Sequence, residues 1–265
     1  MSEVIVITSG KGGVGKTTTT ANLGAGIAKH NKKVVLIDAD IGLRNLDVVM
    51  GLENRIVYDL VHVIEGTCRL EAALIKDKRY PTLSLLPAAQ TKDKTAVTPE
   101  QMKELCKTLK ATFDYIIIDC PAGIEQGFKN AIAGADRAIV VTNPEVGALR
   151  DADRIVGLLE SSGLKSPLLI LNRIKPEMVK RGDMMDLNDV TDILAIDVLG
   201  VVPDDESIIM STNKGEPCVG DEKSLAGQAF RDIVRRILGE EVPFMNLDPK
   251  AGVFGSFKKF FTGKR

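Results

Sequence analysis

The sequence predicts an α/β fold: a mostly parallel sheet with helices on both faces. Three observations carry this reading. Short β-branched runs recur at residues 4–8, 34–38, 83–86, 115–119, 138–142, 168–172 and 198–202. Amphipathic stretches lie between or after them, at 18–29, 99–110, 147–161 and 225–238. Several runs end on or beside a polar residue: Ser9, Asp38, Asp40, Asp119, Asn143 and Asn172. Strands covered on both sides read as near-continuous apolar runs, whereas half-exposed strands alternate. Right-handed crossovers bring the carboxyl ends of parallel strands to one edge, where such sheets bind ligands. The six polar residues are therefore expected along that edge.

The composition is that of an ordinary globular chain. Its 265 residues carry 35 Lys and Arg against 36 Asp and Glu, a net charge of −1, with 44% apolar residues. This length supports one sizeable core, and residues 1–242 are read as one domain. Near-zero charge argues against coating nucleic acid, and no specific nucleic-acid partner is expected. No apolar run nears the roughly 18 residues of a membrane span. The start, MSEVIVITSG, lacks the basic region of a secretory signal, so a cytoplasmic location is expected. Cys68, Cys106, Cys120 and Cys218 form no C-x-x-C pair and read as free thiols rather than zinc or iron–sulfur ligands.

The first run leads into Gly10-Lys11-Gly12-Gly13-Val14-Gly15-Lys16-Thr17, a match to G-x-x-x-x-G-K-[ST], with Thr18 opening the helical stretch. This phosphate-binding P-loop needs a strand before it and a helix after it, and both are expected here. Glycines let backbone N–H groups turn inward, and the helix N-terminus adds partial positive charge. Lys16 is expected to reach the β- and γ-phosphates and the Thr17 hydroxyl to ligate Mg²⁺. The run YIIID ends in Asp119, the Walker B pattern. Asp38 and Asp40 end the second run similarly, and a carboxylate beside the γ-phosphate can orient or deprotonate water. Thr17, Asp38 and Asp119 make the expected magnesium set of a P-loop NTPase.

Lys11 is a second lysine that an ordinary P-loop does not need. The string KGGVGKTT resembles the deviant Walker A ATPases, a family that includes partition ATPases, the nitrogenase iron protein and the MinD cell-division ATPases. Further segments are similar to the MinD branch: 38–47 (DADIGLRNLD), 54–60 (NRIVYDL), 75–78 (IKDK), 86–90 (LPAAQ) and 119–125 (DCPAGIE). So are 142–146 (TNPEV), 150–154 (RDADR), 181–184 (RGDM) and 213–217 (NKGEP). The resemblance spans almost the whole chain. It implies an ATP-bound homodimer in which Lys11 reaches the partner's nucleotide, as an arginine finger does. It also implies that Asp40 handles the attacking water, that Asn172 contacts adenine with Pro203 and Asp204 adjacent, and that Glu145 touches ribose across the dimer. Asp151 would belong to a partner surface. The partners implied are a MinC-like division inhibitor and either a MinE-like activator or a polar-anchor system.

Residues 243–252 read as a linker, broken by Pro243, Pro249 and Gly252. Residues 253–265 read as an amphipathic helix. At roughly 100° per residue, Val253, Phe254, Phe257, Phe260 and Phe261 fall within about 120° of arc. Lys258 and Lys259 lie outside that arc, and no acid follows Asp248. A Phe face with a basic remainder suits anionic membrane lipid, which implies a peripheral position on the inner face of the cell membrane. A partition-type or flagellar-placement ATPase would share the core, and a membrane scaffold that polymerises with ATP is a reading of a different class.

Overall fold

The computed structural model describes residues 2–245. The expected amphipathic segment 253–265 and most of the linker lie outside the described residues. Eight strands form one sheet: β1 (Glu3–Thr8), β2 (Val34–Asp38), β3 (Ile75–Lys76), β4 (Leu83–Leu86), β5 (Tyr115–Asp119), β6 (Arg137–Thr142), β7 (Leu168–Ile174) and β8 (Val198–Pro203). Their order is β3-β4-β2-β5-β1-β6-β7-β8. Every neighbouring pair is parallel except β3 with β4.

The lack of alternation has a direct cause: both faces of the central strands are buried. In β1, Val4 and Val6 enter one core, and Ile5 and Ile7 enter the other. In β5, Ile116 and Ile118 face the first core and Ile117 the second. Each such Val or Ile contributes roughly 1.5–3 kcal/mol by leaving water. The first core is closed by Met102, Leu105 and Leu109 of the helix Pro99–Leu109 and by Leu149, Ile155 and Leu159 of the helix Val146–Ser161. The second is closed by the helices Lys16–Lys29 and Leu225–Ile237. Thr98 starts the helix Pro99–Leu109 with a reciprocal capping box to Gln101, which satisfies two orphan donors.

Several boundaries differ from expectation. The helix after the P-loop starts at Lys16 rather than Thr18, because Gly15, at φ 101°, completes the turn that launches it. Strand β7 runs two residues beyond Asn172, through a register shift in which Arg173 takes φ 57°. The antiparallel β3 carries two residues, too few for a periodic signal. Residues 243–245 are docked: Arg236 donates to the carbonyls of Val242, Pro243 and Leu199 and stacks on Phe244, 4.5 Å from the ring centroid. Cys106, Cys120 and Cys218 are buried and Cys68 is half-buried.

The helix Lys16–Lys29 lies close on β2 because Gly24 has no side chain; a Cβ there would meet the Leu36 methyls. Gly24→Val should destabilise the fold by about 1–3 kcal/mol through overpacking, read as a lower urea midpoint at unchanged slope.

Candidate functional site

The carboxyl ends of β1, β2, β5, β6, β7 and β8 share one edge, and β1 sits where the strand order reverses. The P-loop leaves β1 there. Gly13 and Gly15 adopt φ of 78° and 101°, a region closed to most side chains. Lys16 stands in the first helical turn and is buried. Gly10 lies against the backbone of Asp151, so the loop is backed by the helix expected to carry the partner surface, and the Asp151 side chain is exposed.

Asn172 has a structural role that the sequence does not disclose. Its Nδ2 donates to the Val14 carbonyl at 2.7 Å, and the missing side chain of Gly15 makes room for it. Its buried Oδ1, and that of Asn143, have no hydrogen-bond partner among the described residues. Unpaired buried acceptors are costly, so two of them at a sheet edge mark a place for a donor-bearing ligand.

Asp38 and Asp119 lie side by side in register on β2 and β5, both buried. Burial pushes the Asp119 carboxyl up to about 7, with the Asp38 charge adding to it. Burial likewise pushes Asp38 up to about 6, against the N–H groups that hold its charge. Those bonds come from Asp40 at 2.9 Å and from Asn45 and Leu46 at 3.1 Å each. The Thr20 hydroxyl donates to Asp119 at 3.3 Å, and Thr17 bonds the same carboxylate. Two adjacent buried carboxylates with a hydroxyl form an all-oxygen donor set that fits a small divalent cation. Asp40 begins the loop that Asp38 anchors.

Beyond β6, β7 and β8 a cleft of about 370 Å³ is lined by Asn143, Glu145, Arg173, Lys175, Met184 and Asp204, among others. Strand β8 ends at Pro203, and the Asp204 amide donates to the Ile174 carbonyl at 2.9 Å. Lys175 pairs with Asp204 at 3.2 Å. Arg173 and Lys175 escaped the sequence reading because only the irregular end of β7 delivers them to the cleft. Lys11 and Glu145, both expected to act across a dimer, pair with each other at 3.7 Å in the single chain. Both are about half exposed, and such pairs contribute roughly 0–1 kcal/mol. The pairing is therefore readily exchanged for other contacts.

The raised carboxyls of Asp38 and Asp119 have a definite consequence for stability. A folded pKa above the ordinary 3.8 favours the folded state most below that value, and the benefit is lost as pH rises through about 6–7. Without nucleotide or divalent cation, Asp119→Asn should therefore melt above the wild type at pH 8. The gap should close as pH falls below 6, in melts recorded by circular dichroism.

Comparison with known proteins agrees with this geometry. A family model described as an AAA domain matches residues 2–163. The septum site-determining protein MinD of Bacillus subtilis is 59% identical over 264 residues, 98% of each chain. A chain of the MinC:MinD cell division complex of Aquifex aeolicus superposes with a TM-score of 0.87 at 52% identity, covering 92% of this chain and 99% of that one. The MinD of Pyrococcus horikoshii, in complex with Mg-ADP, gives a TM-score of 0.81 at 32% identity over 89% of this chain and 96% of that one. With its P-loop, its paired strand-end aspartates and near-full-length similarity to these proteins, the chain belongs to the MinD family of septum site-determining proteins.

Proposed function

We propose that this chain is a magnesium-dependent ATPase that works as a nucleotide-timed membrane switch in division-site placement. One observation carries the reading: the buried Asp38–Asp119 pair meets the helix that follows the P-loop, with the Thr20 hydroxyl bonded to Asp119 and the Lys16 charge favouring its ionised form. The P-loop amides and Lys16 bind the polyphosphate. The base and ribose enter the cleft beside Asn143, Glu145, Asn172, Pro203 and Asp204. Thr17, Asp38 and Asp119 are the residues that would hold Mg²⁺, which when bound neutralises phosphate charge. Asp40, at the mouth of this edge, orients the attacking water and receives its proton. The Mg-ADP held by the Pyrococcus relative supports the ligand assignment.

ATP closes a homodimer in which Lys11 leaves Glu145 and reaches the partner's nucleotide. A cation supplied in this way makes turnover depend on dimerisation. Dimerisation pairs two segments 253–265, each a weak anchor alone. Linking two weak sites raises avidity by roughly 10²–10⁴, so ATP drives attachment to anionic lipid and hydrolysis reverses it. The membrane-bound dimer recruits a MinC-like inhibitor, a reading supported by the Aquifex complex, and a MinE-like activator or polar anchor times its release. Among the described residues no helix is long and apolar enough to cross a membrane.

Lys11→Ala should lose ATP-dependent dimerisation in sedimentation velocity while still binding one nucleotide per chain; dimers of wild-type affinity would remove the trans role. Co-sedimentation with anionic liposomes tests the switch. The full chain should pellet with ATP and not with ADP, and a chain ending at Gly252 should pellet with neither. Asp40→Ala should stay on the liposomes, with turnover lowered by about 10² or more. Indifference of the full chain to lipid in both nucleotide states would favour a partition-type ATPase instead.

A further inference from the structure

Two MinD-like segments, 75–78 and 213–217, have no part in the site described above, yet one side chain joins their neighbourhoods. Arg79 is anchored by Asp77, which is buried and accepts from the Arg79 backbone N–H at 2.7 Å, from Nε at 3.2 Å and from Nη2 at 2.8 Å. The remaining reach of the guanidinium goes to two backbone carbonyls: Nη1 donates to Gly215 at 2.6 Å and Nη2 to Met50. At that point two backbones meet without side chains between them. Gly51 and Gly215 have φ of 62° and 66°, and a Cβ on Gly215 would lie 2.5 Å from the Gly51 Cα.

Each carbonyl ends a path that begins at the nucleotide site. Met50 closes the short helix Leu46–Val49, whose Leu46 amide is held by the Asp38 carboxylate. Within that path the fully buried Asp47 pairs with Arg44 at 3.1 Å. Gly215 follows the helix Glu206–Asn213, capped by Asp205, the neighbour of Asp204 in the cleft. Carbonyls at helix ends lack intrahelical partners. The four side-chain bonds of Arg79 use the spread fork of a planar guanidinium; an ammonium group carries three donors on one atom and cannot make all four.

We propose that Arg79 is a positioning residue that couples the two ends of the nucleotide site, so that filling the base cleft sets the segment carrying Asp38 and Asp40. The proposal rests on the nucleotide reading above. Hydrogen exchange read by mass spectrometry separates the two. ADP is added with a chelator, so that no cation touches Asp38, to wild type, Arg79→Gln and Arg79→Lys. The nucleotide reading requires slower exchange at residues 10–20 in all three; without it in wild type, that reading falls and the coupling with it.

The coupling requires that ADP also slow residues 46–52 in wild type. In both variants this second slowing should shrink about fivefold or more, the low end of a coupling free energy, while slowing at 10–20 and 203–210 persists. Arg79→Lys keeps a charge beside Asp77 and serves as the folded control, confirmed by its melt. Equal slowing of 46–52 in wild type and Arg79→Lys, or none in wild type despite slowing at 10–20, would overturn the coupling alone.

Discussion

The insertion of β5 between β1 and β2 places Asp38 and Asp119 in adjacent register, in a place from which water is excluded. Two carboxylates so placed repel each other and lose hydration, and their raised pKa values express that cost. Three backbone N–H groups on Asp38 and two threonine hydroxyls at Asp119 offset part of it. The free protein therefore carries an electrostatic cost at Asp38, whose carboxylate holds the backbone of the loop beginning at Asp40.

That loop is not isolated from the rest of the molecule. Asp38 holds Leu46, the helix from Leu46 ends at Met50, and Arg79 ties Met50 to Gly215. On the opposite side of the P-loop, Gly10 touches the backbone of Asp151 on a surface helix. Asp205 accepts from Ser207 at the start of one helix and from Ala226 at the start of another, linking the cleft to the helix Leu225–Ile237. The far end of that helix carries Arg236, which fixes the chain through Phe244. Most of these contacts join a side chain to the backbone of a second element, so the ends of the site are tied to elements far from them in the chain.

The residues most legible in the sequence are those whose role is local. The P-loop needs glycine where the backbone turns to positive φ, and that demand is met within eight consecutive residues. Asp38 and Asp119 are legible because each ends an apolar run, and parallel topology then brings such ends together. Asn172 was expected beside the ligand; its grip on Val14, a residue 158 positions away, was not. Arg173, Lys175 and Arg79 were missed because an irregular strand end and a meeting of two turns leave no periodic mark.

The sequence by itself determined the class of fold, the phosphate-binding loop and its acidic partners, since hydrophobic period and glycine placement act within a few residues. It also determined the family, through motifs spread along nearly the whole chain. Only the tertiary structure decided which carboxylates share one dry pocket, which amide braces the P-loop, and which cation joins Met50 to Gly215. Those outcomes depend on groups far apart in the chain, and only strand order and crossover packing bring such groups within hydrogen-bonding distance.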